Sequence, residues 1–201
     1  MSESVPAKAP APGREFQTFL SRLVKVILRP QAFWADLGTT MPPVKEVVFP
    51  HMVVLVGMQA LAAFVGTLIG KGLGAAFGIL ITTFLTSFAG IWVFAFAAVT
   101  IATAKGGNAT LERAIAFAAY SVAPILVVSV IGLIPVRYVT AIAPLLAMPF
   151  AFHVMGHGAT TALGIHGERA PHAVAQLCGA LVLVWTLMPM LLPAIAQAVF
   201  G

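Results

Sequence analysis

The sequence predicts an all-α integral membrane protein: five transmembrane helices preceded by an N-terminal cytoplasmic amphipathic helix. Composition is the first reason. Of 201 residues, 60% are hydrophobic and 8% charged, with a mean hydropathy of +1.02, outside the range of soluble domains. Patterning is the second: the apolar residues gather into long charge-free runs, each able to cross a hydrocarbon core of ~30 Å. Charge placement is the third. With the N-terminus in the cytoplasm, five spans put six Lys and Arg before the first span and Lys105, Arg113 and Arg169 on the same side, leaving Lys71 and Arg137 outside. That division, nine against two, follows the rule that cytoplasmic loops hold the positive charge. It accounts for the net charge of +5 without a nucleic-acid partner, and it puts the C-terminus outside.

Three regions follow. Residues 1–13, rich in Pro, Ala and Ser, read as a disordered tail. Residues 14–45 read as cytoplasmic amphipathic and interfacial helices, and 46–201 as the membrane domain. No apolar stretch follows the first charges closely enough for a cleaved signal peptide, so insertion through the chain's own spans is expected. The single cysteine, Cys178, lies in an apolar run; it excludes an internal disulfide and reads as a small packing residue.

Arg14 to Arg29 forms an amphipathic helix with Phe16, Phe19, Leu20, Leu23, Val26 and Ile27 on one face. Arg14, Arg22, Lys25 and Arg29 lie on the other. Two placements fit: in an anionic membrane surface, where each cation contributes about 1 kcal/mol, or docked on the chain's own bundle. Pro30 restarts a short helix, Gln31 to Leu37, with Gly38 as its stop. Phe33 and Trp34 fit an interfacial aromatic anchor, with a partner-binding epitope as the alternative. Met41-Pro42-Pro43 is a stiff linker.

The first span runs from about Val47 to Ile69. Gly66, Gly70, Gly74 and Gly78 recur every four residues across the following turn, a pattern that lets helices approach closely and reads here as hairpin packing, with dimerisation as the alternative. Leu73 to Ala104 is free of charge for 32 residues, ~48 Å as one helix, and reads as one tilted span from about Phe77. The third span occupies Lys105 to Pro135. Gly106-Gly107 predicts a turn and Asn108 or Thr110 a cap; with Thr110 as the cap, Glu112 is a first-turn charge suited to the helix dipole. Arg113, Tyr120 and Pro124 share one face; Pro124 predicts a bend, with Ser121 placed to relieve the freed backbone. The fourth span runs from about Tyr138 to Gly164 with Pro144 and Pro149 inside, and the fifth from about Pro171 to Phe200 with Pro189 and Pro193 near its end.

The run TLERAIAFAAYSVAP after Gly106-Gly107, set between a hydrophobic hairpin and two more apolar helices, resembles the Yip family, as does RPQAFWADL at Arg29 to Leu37. These are the Ypt/Rab-interacting-type membrane proteins and their bacterial relatives. The resemblance extends over about residues 20 to 200. It implies a five-span, non-catalytic protein of the bacterial inner membrane. It supplies no Rab-binding motif that maps onto these residues.

Chemistry has one candidate seat, the histidines. His153 and His157 stand four apart on one helical face, and His51 lies shallowly in the first span near the same membrane face. Such groups can line a proton or substrate path, or ligate a metal or haem; hydrogen-bonded neutral histidines are the plainer reading. No Ser-His-Asp, paired-carboxylate or Cys-rich constellation occurs, so neither an enzyme nor a cofactor is expected. The reading that results is a membrane adaptor or accessory subunit of a membrane protein complex, with a role in organising lipid open to it, in contact with lipid and other membrane proteins through Arg22, Lys25, Arg29, Phe33, Trp34, Glu112, Arg113, Tyr120 and Pro124. A small transporter or channel with a path lined by His51, His153 and His157 is one alternative, and a metal- or haem-carrying subunit another.

Overall fold

A computed structural model describes residues 12–39, 41–134 and 136–200; most of the expected tail, residues 1–11, lies outside the described residues. All the regular structure is helical. Helices α1 (Pro12–Leu28) and α2 (Pro30–Thr39) form a collar, followed by five helices long and apolar enough to span a membrane: α3 (Val44–Lys71), α4 (Leu73–Ala104), α5 (Leu111–Leu133), α6 (Arg137–Leu163) and α7 (Arg169–Phe200).

The bundle is built around α5. Its most apolar window is 72% buried, against 6% for that of α7. Every residue from Ala114 to Leu126 is buried, so the shared face of Arg113, Tyr120 and Pro124 is no special surface. Five alanines in that stretch keep the helix thin, and α3, α4, α6 and α1 all pack on it. Thr110 caps α5 as expected, its hydroxyl accepting from the Arg113 amide at 3.3 Å. Ser121 does not relieve the backbone freed by Pro124; its hydroxyl is buried without a hydrogen-bond partner. The last turn of α5 tightens to a 3-10 turn over Ser129–Leu133, and Ser129 Oγ donates to the Ile125 carbonyl at 2.7 Å.

Turn chemistry sets the chain reversals. Gly106 takes φ 80° after α4, and Gly164 takes φ 67° at the end of α6, both left-handed conformations that glycine adopts without cost. The glycine ladder is corrected. Only Gly66 makes a close approach, and its neighbour is the Gly132 carbonyl at the end of α5; Gly70, Gly74 and Gly78 face open space. Gly66 alone therefore serves packing of α3 on α5, and the repeat as a whole does not pack the α3–α4 hairpin.

Candidate functional site

The collar and the bundle meet in a chain of aromatic rings. Phe19 of α1 lies 5.8 Å from the His51 ring, His51 lies 4.4 Å from Tyr120, and Tyr120 lies 4.8 Å from Phe33, centroid to centroid. Phe33 and Tyr120 both contact Trp34, which reaches Phe117 at 5.9 Å. Phe33 and Trp34 are thus corrected from lipid-facing anchors to interior residues; Trp34 is 1% exposed. The reason lies far along the chain. Trp34 Nε1–H donates to the Val154 carbonyl at 2.9 Å, so the polar edge that suits an interface finds its partner on α6. Gly158 opens the slot, since a Cβ there would stand 2.6 Å from Trp34 Cε2. Gly38 is likewise not a helix stop. It stays helical and allows α2 to lie against Thr161.

The collar is tied down by charge at its rim. Lys25 pairs with Asp36, joining α1 to α2, and Arg22 Nη1 stands 3.6 Å from Glu46 Oε2, joining α1 to the start of α3. Both pairs are at least partly exposed, so each contributes little by itself. Arg113 makes a comparable tie inside the bundle, where its Nη2–H donates to the Thr161 carbonyl at 2.9 Å and holds the start of α5 to the end of α6. Tyr120 and Pro124 are wholly buried and cannot meet a partner as an outer surface. Arg29 and Glu112 remain exposed.

Beside the ring chain α3 breaks. Phe49 leaves the helix with φ −125° and ψ 123°, and Pro50 follows. Proline disfavours helical dihedrals in the residue before it, so the dipeptide Phe49-Pro50 carried a signal that hydropathy masked. Under the break lies a cavity of about 510 Å³ between α1, α3 and Tyr120. Its floor is polar: neither ring nitrogen of His51 nor the Tyr120 hydroxyl makes a well-formed hydrogen bond, although the Ala119 backbone lies beside the ring and Arg22 beside the hydroxyl.

The three histidines are not gathered into one path. His51 packs on Phe19 and Tyr120, whereas His153 is exposed on α6 and stacks edge-on with half-buried His157 at 4.8 Å. Among the described residues no three His, Cys, Asp or Glu side chains converge as metal ligands would.

Sequence comparison adds one finding. The model of the Yip1 domain family matches residues 24–188, from the second half of α1 to late in α7. The chain belongs to the Yip1 domain family. It is a polytopic membrane protein of a family whose members are generally not enzymes. No curated protein and no solved structure matches the chain. The matched region takes in Lys25, all of α2, Asp36, Glu46 and the Phe49-Pro50 break, and begins after Phe19 and Arg22 of α1. Glu46, Phe49 and Pro50 are the site residues that pattern reading missed. The first lies three residues beyond the Pro42-Pro43 linker and reads there as part of the span's edge.

Proposed function

We propose that this Yip1-domain protein is a non-catalytic adaptor or accessory subunit of a membrane protein complex, of the bacterial branch of its family. It sits in the inner membrane with its N-terminus in the cytoplasm and its C-terminus outside. The tail 1–13 leads into the collar 14–45, and 46–201 is the membrane unit. The observation that carries the reading is the asymmetry of burial. The central span α5 is 72% buried and the fifth span 6%, so one whole helix runs along the outside of the bundle, its lateral faces open to other membrane helices. Arg29 and Glu112, both exposed, supply polar contacts, while Arg22 and Lys25 shape the collar rim and Arg113 ties α5 to α6 from within the chain. Phe33, Trp34, Tyr120 and Pro124 act as internal supports.

Gentle isolation from native membranes through an N-terminal tag, followed by mass spectrometry of the intact particle, tests this. A stoichiometric companion protein is expected. A bare monomer that keeps its fold sinks the adaptor reading.

A further inference from the structure

The cavity under the Phe49-Pro50 break combines three properties that do not arise from packing the chain on itself. First, its floor carries His51, 3% exposed, and Tyr120, 0% exposed, whose polar atoms are left without a well-formed hydrogen bond. A buried polar group left so is destabilising, and three such atoms in one place ask for a common partner with several acceptor and donor sites. Second, the walls are apolar, with Phe19 on one side and Phe49 at the mouth. Third, the rim carries Arg22 and Lys45 against Glu46, a local balance of +2 and −1, so one negative charge would make the site neutral.

The approach to the cavity is also defined. Phe16, Leu20, Val24 and Leu28 recur every four residues on α1 and are all exposed, so the helix bordering the cavity presents an apolar stripe. Phe49, the apolar residue at the mouth, is more than half exposed. The α1 stripe lies on the side of the helix away from Thr18, Phe19 and Arg22, so the apolar residues at the cavity itself are Phe19 and Phe49, and apolar groups beside a cationic, polar-floored cavity suit a ligand that is itself amphiphilic.

We propose that this cavity holds the headgroup of an anionic phospholipid bearing one phosphodiester charge and hydroxyl groups. The phosphate lies between Arg22 and Lys45, whose donors suit phosphate oxygens. Headgroup oxygens accept from the Tyr120 hydroxyl and from the protonated ring nitrogen of His51, and a headgroup hydroxyl donates to Glu46. The acyl chains leave past Phe49, the exposed apolar residue of the lining. At about 510 Å³ the cavity is within the range of small-molecule sites, and two acyl chains do not fit in it as well. This site stands apart from the adaptor reading, because it needs no protein partner.

The test uses the full chain in nanodiscs of phosphatidylcholine containing a minority of phosphatidylglycerol, released into the gas phase for native mass spectrometry. Retention of one phosphatidylglycerol per chain is expected, with phosphatidylcholine stripped. Arg22→Gln and the exposed Lys45→Gln each weaken retention about tenfold, the effect of removing one charge-assisted hydrogen bond. Glu46→Gln acts in the opposite direction, since it removes a like charge and frees Arg22; a purely structural role for the rim does not produce that sign. Equal retention of both lipids overturns the proposal, as does retention indifferent to Lys45→Gln. Displacement of the lipid by millimolar inorganic phosphate assigns the site to free phosphate and overturns the commitment to lipid.

Discussion

Gly158→Ala tests how the collar is held, because in this one substitution two effects of opposite sign compete. In an isolated helix the change is favourable by about 1 kcal/mol. Here the new Cβ would lie 2.6 Å from Trp34 Cε2, 2.7 Å from Cζ2 and 3.0 Å from Phe117 Cδ2, all ring atoms in a packed interior that cannot swing aside as a flexible chain end would. Overpacking of this kind costs about 1–3 kcal/mol. Complete expulsion of the indole would cost more, about 3–5 kcal/mol for its burial, plus about 1 kcal/mol for the bond to the Val154 carbonyl. The chain therefore takes the strained, partly displaced state, for a net loss of up to about 2 kcal/mol. In a Trp34→Ala background the obstacle is gone and Phe117 has room to move, so the same Gly158→Ala becomes favourable by about 1 kcal/mol. The coupling between the two positions is the difference, about 1–3 kcal/mol.

Four proteins close the cycle: the parent, each single variant and the double. Unfolding midpoints in one nanodisc composition give the energies, and amide exchange over residues 30–39 shows whether α2 loosens. The expected pattern is faster exchange in α2 for Gly158→Ala, with a stability effect that changes sign when Trp34 is removed. A loss of the same size in both backgrounds would refute the reasoning, because it would mean that the Cβ meets something other than the indole.

Other expectations can be checked with the same protein. Arg113→Ala removes the charged donor from the Thr161 carbonyl, costs about 1.5–3 kcal/mol, and lowers the thermal midpoint by roughly 3–12 °C for a chain of this size; an unchanged midpoint means that the tether carries no load. Gly66→Val drives a side chain into the Gly132 carbonyl and prevents α3 from seating on α5, whereas Gly70→Ala meets open space and is neutral or favourable by up to about 1 kcal/mol. Equal loss of folded yield in the two variants would show that the repeat acts as a unit after all. Reporter fusions should place the N-terminus in the cytoplasm and the C-terminus outside, following the nine-to-two division of Lys and Arg; a cytoplasmic C-terminus contradicts a five-span path with that orientation.

The spans were legible because a membrane helix is specified locally. A charge-free run, a glycine turn and a capping threonine are each sufficient within one stretch, and Thr110 and Gly106 behave as their types predict. What escaped was everything decided by a second stretch. Trp34 reads as an interfacial residue until Val154 and Gly158 are known to face it. The glycine ladder looks like a hairpin device until Gly132 turns out to be the neighbour of Gly66. The histidines invite a path by residue type alone, and only topology separates His51, in the ring chain, from the pair on α6. The break at Phe49-Pro50 is different in kind, since its local signal was present and was hidden under the span's hydropathy.

The two placements that the sequence left open for α1 turn out to be compatible, and the wheel of the helix shows why. Phe19 and Val26 are buried against the bundle; Phe16, Leu20, Val24 and Leu28 occupy an adjoining arc that is exposed and interrupted only by Gln17; Ser21 and Arg29, exposed and polar, lie farther round. An apolar arc wider than docking needs is costly to leave in water, at about 25 cal/mol per Å², and is best satisfied by lying in the bilayer interface. A helix with one face on protein and the next in lipid cannot rotate without giving up one of the two. Arg22, at the polar edge of the docked face, is then held beside Glu46 and Tyr120, at the level where the α3 break opens the wall of the bundle. Docking, interfacial burial and the break thus fix the same few residues, which is why a cationic rim over a polar floor arises at this point of the chain.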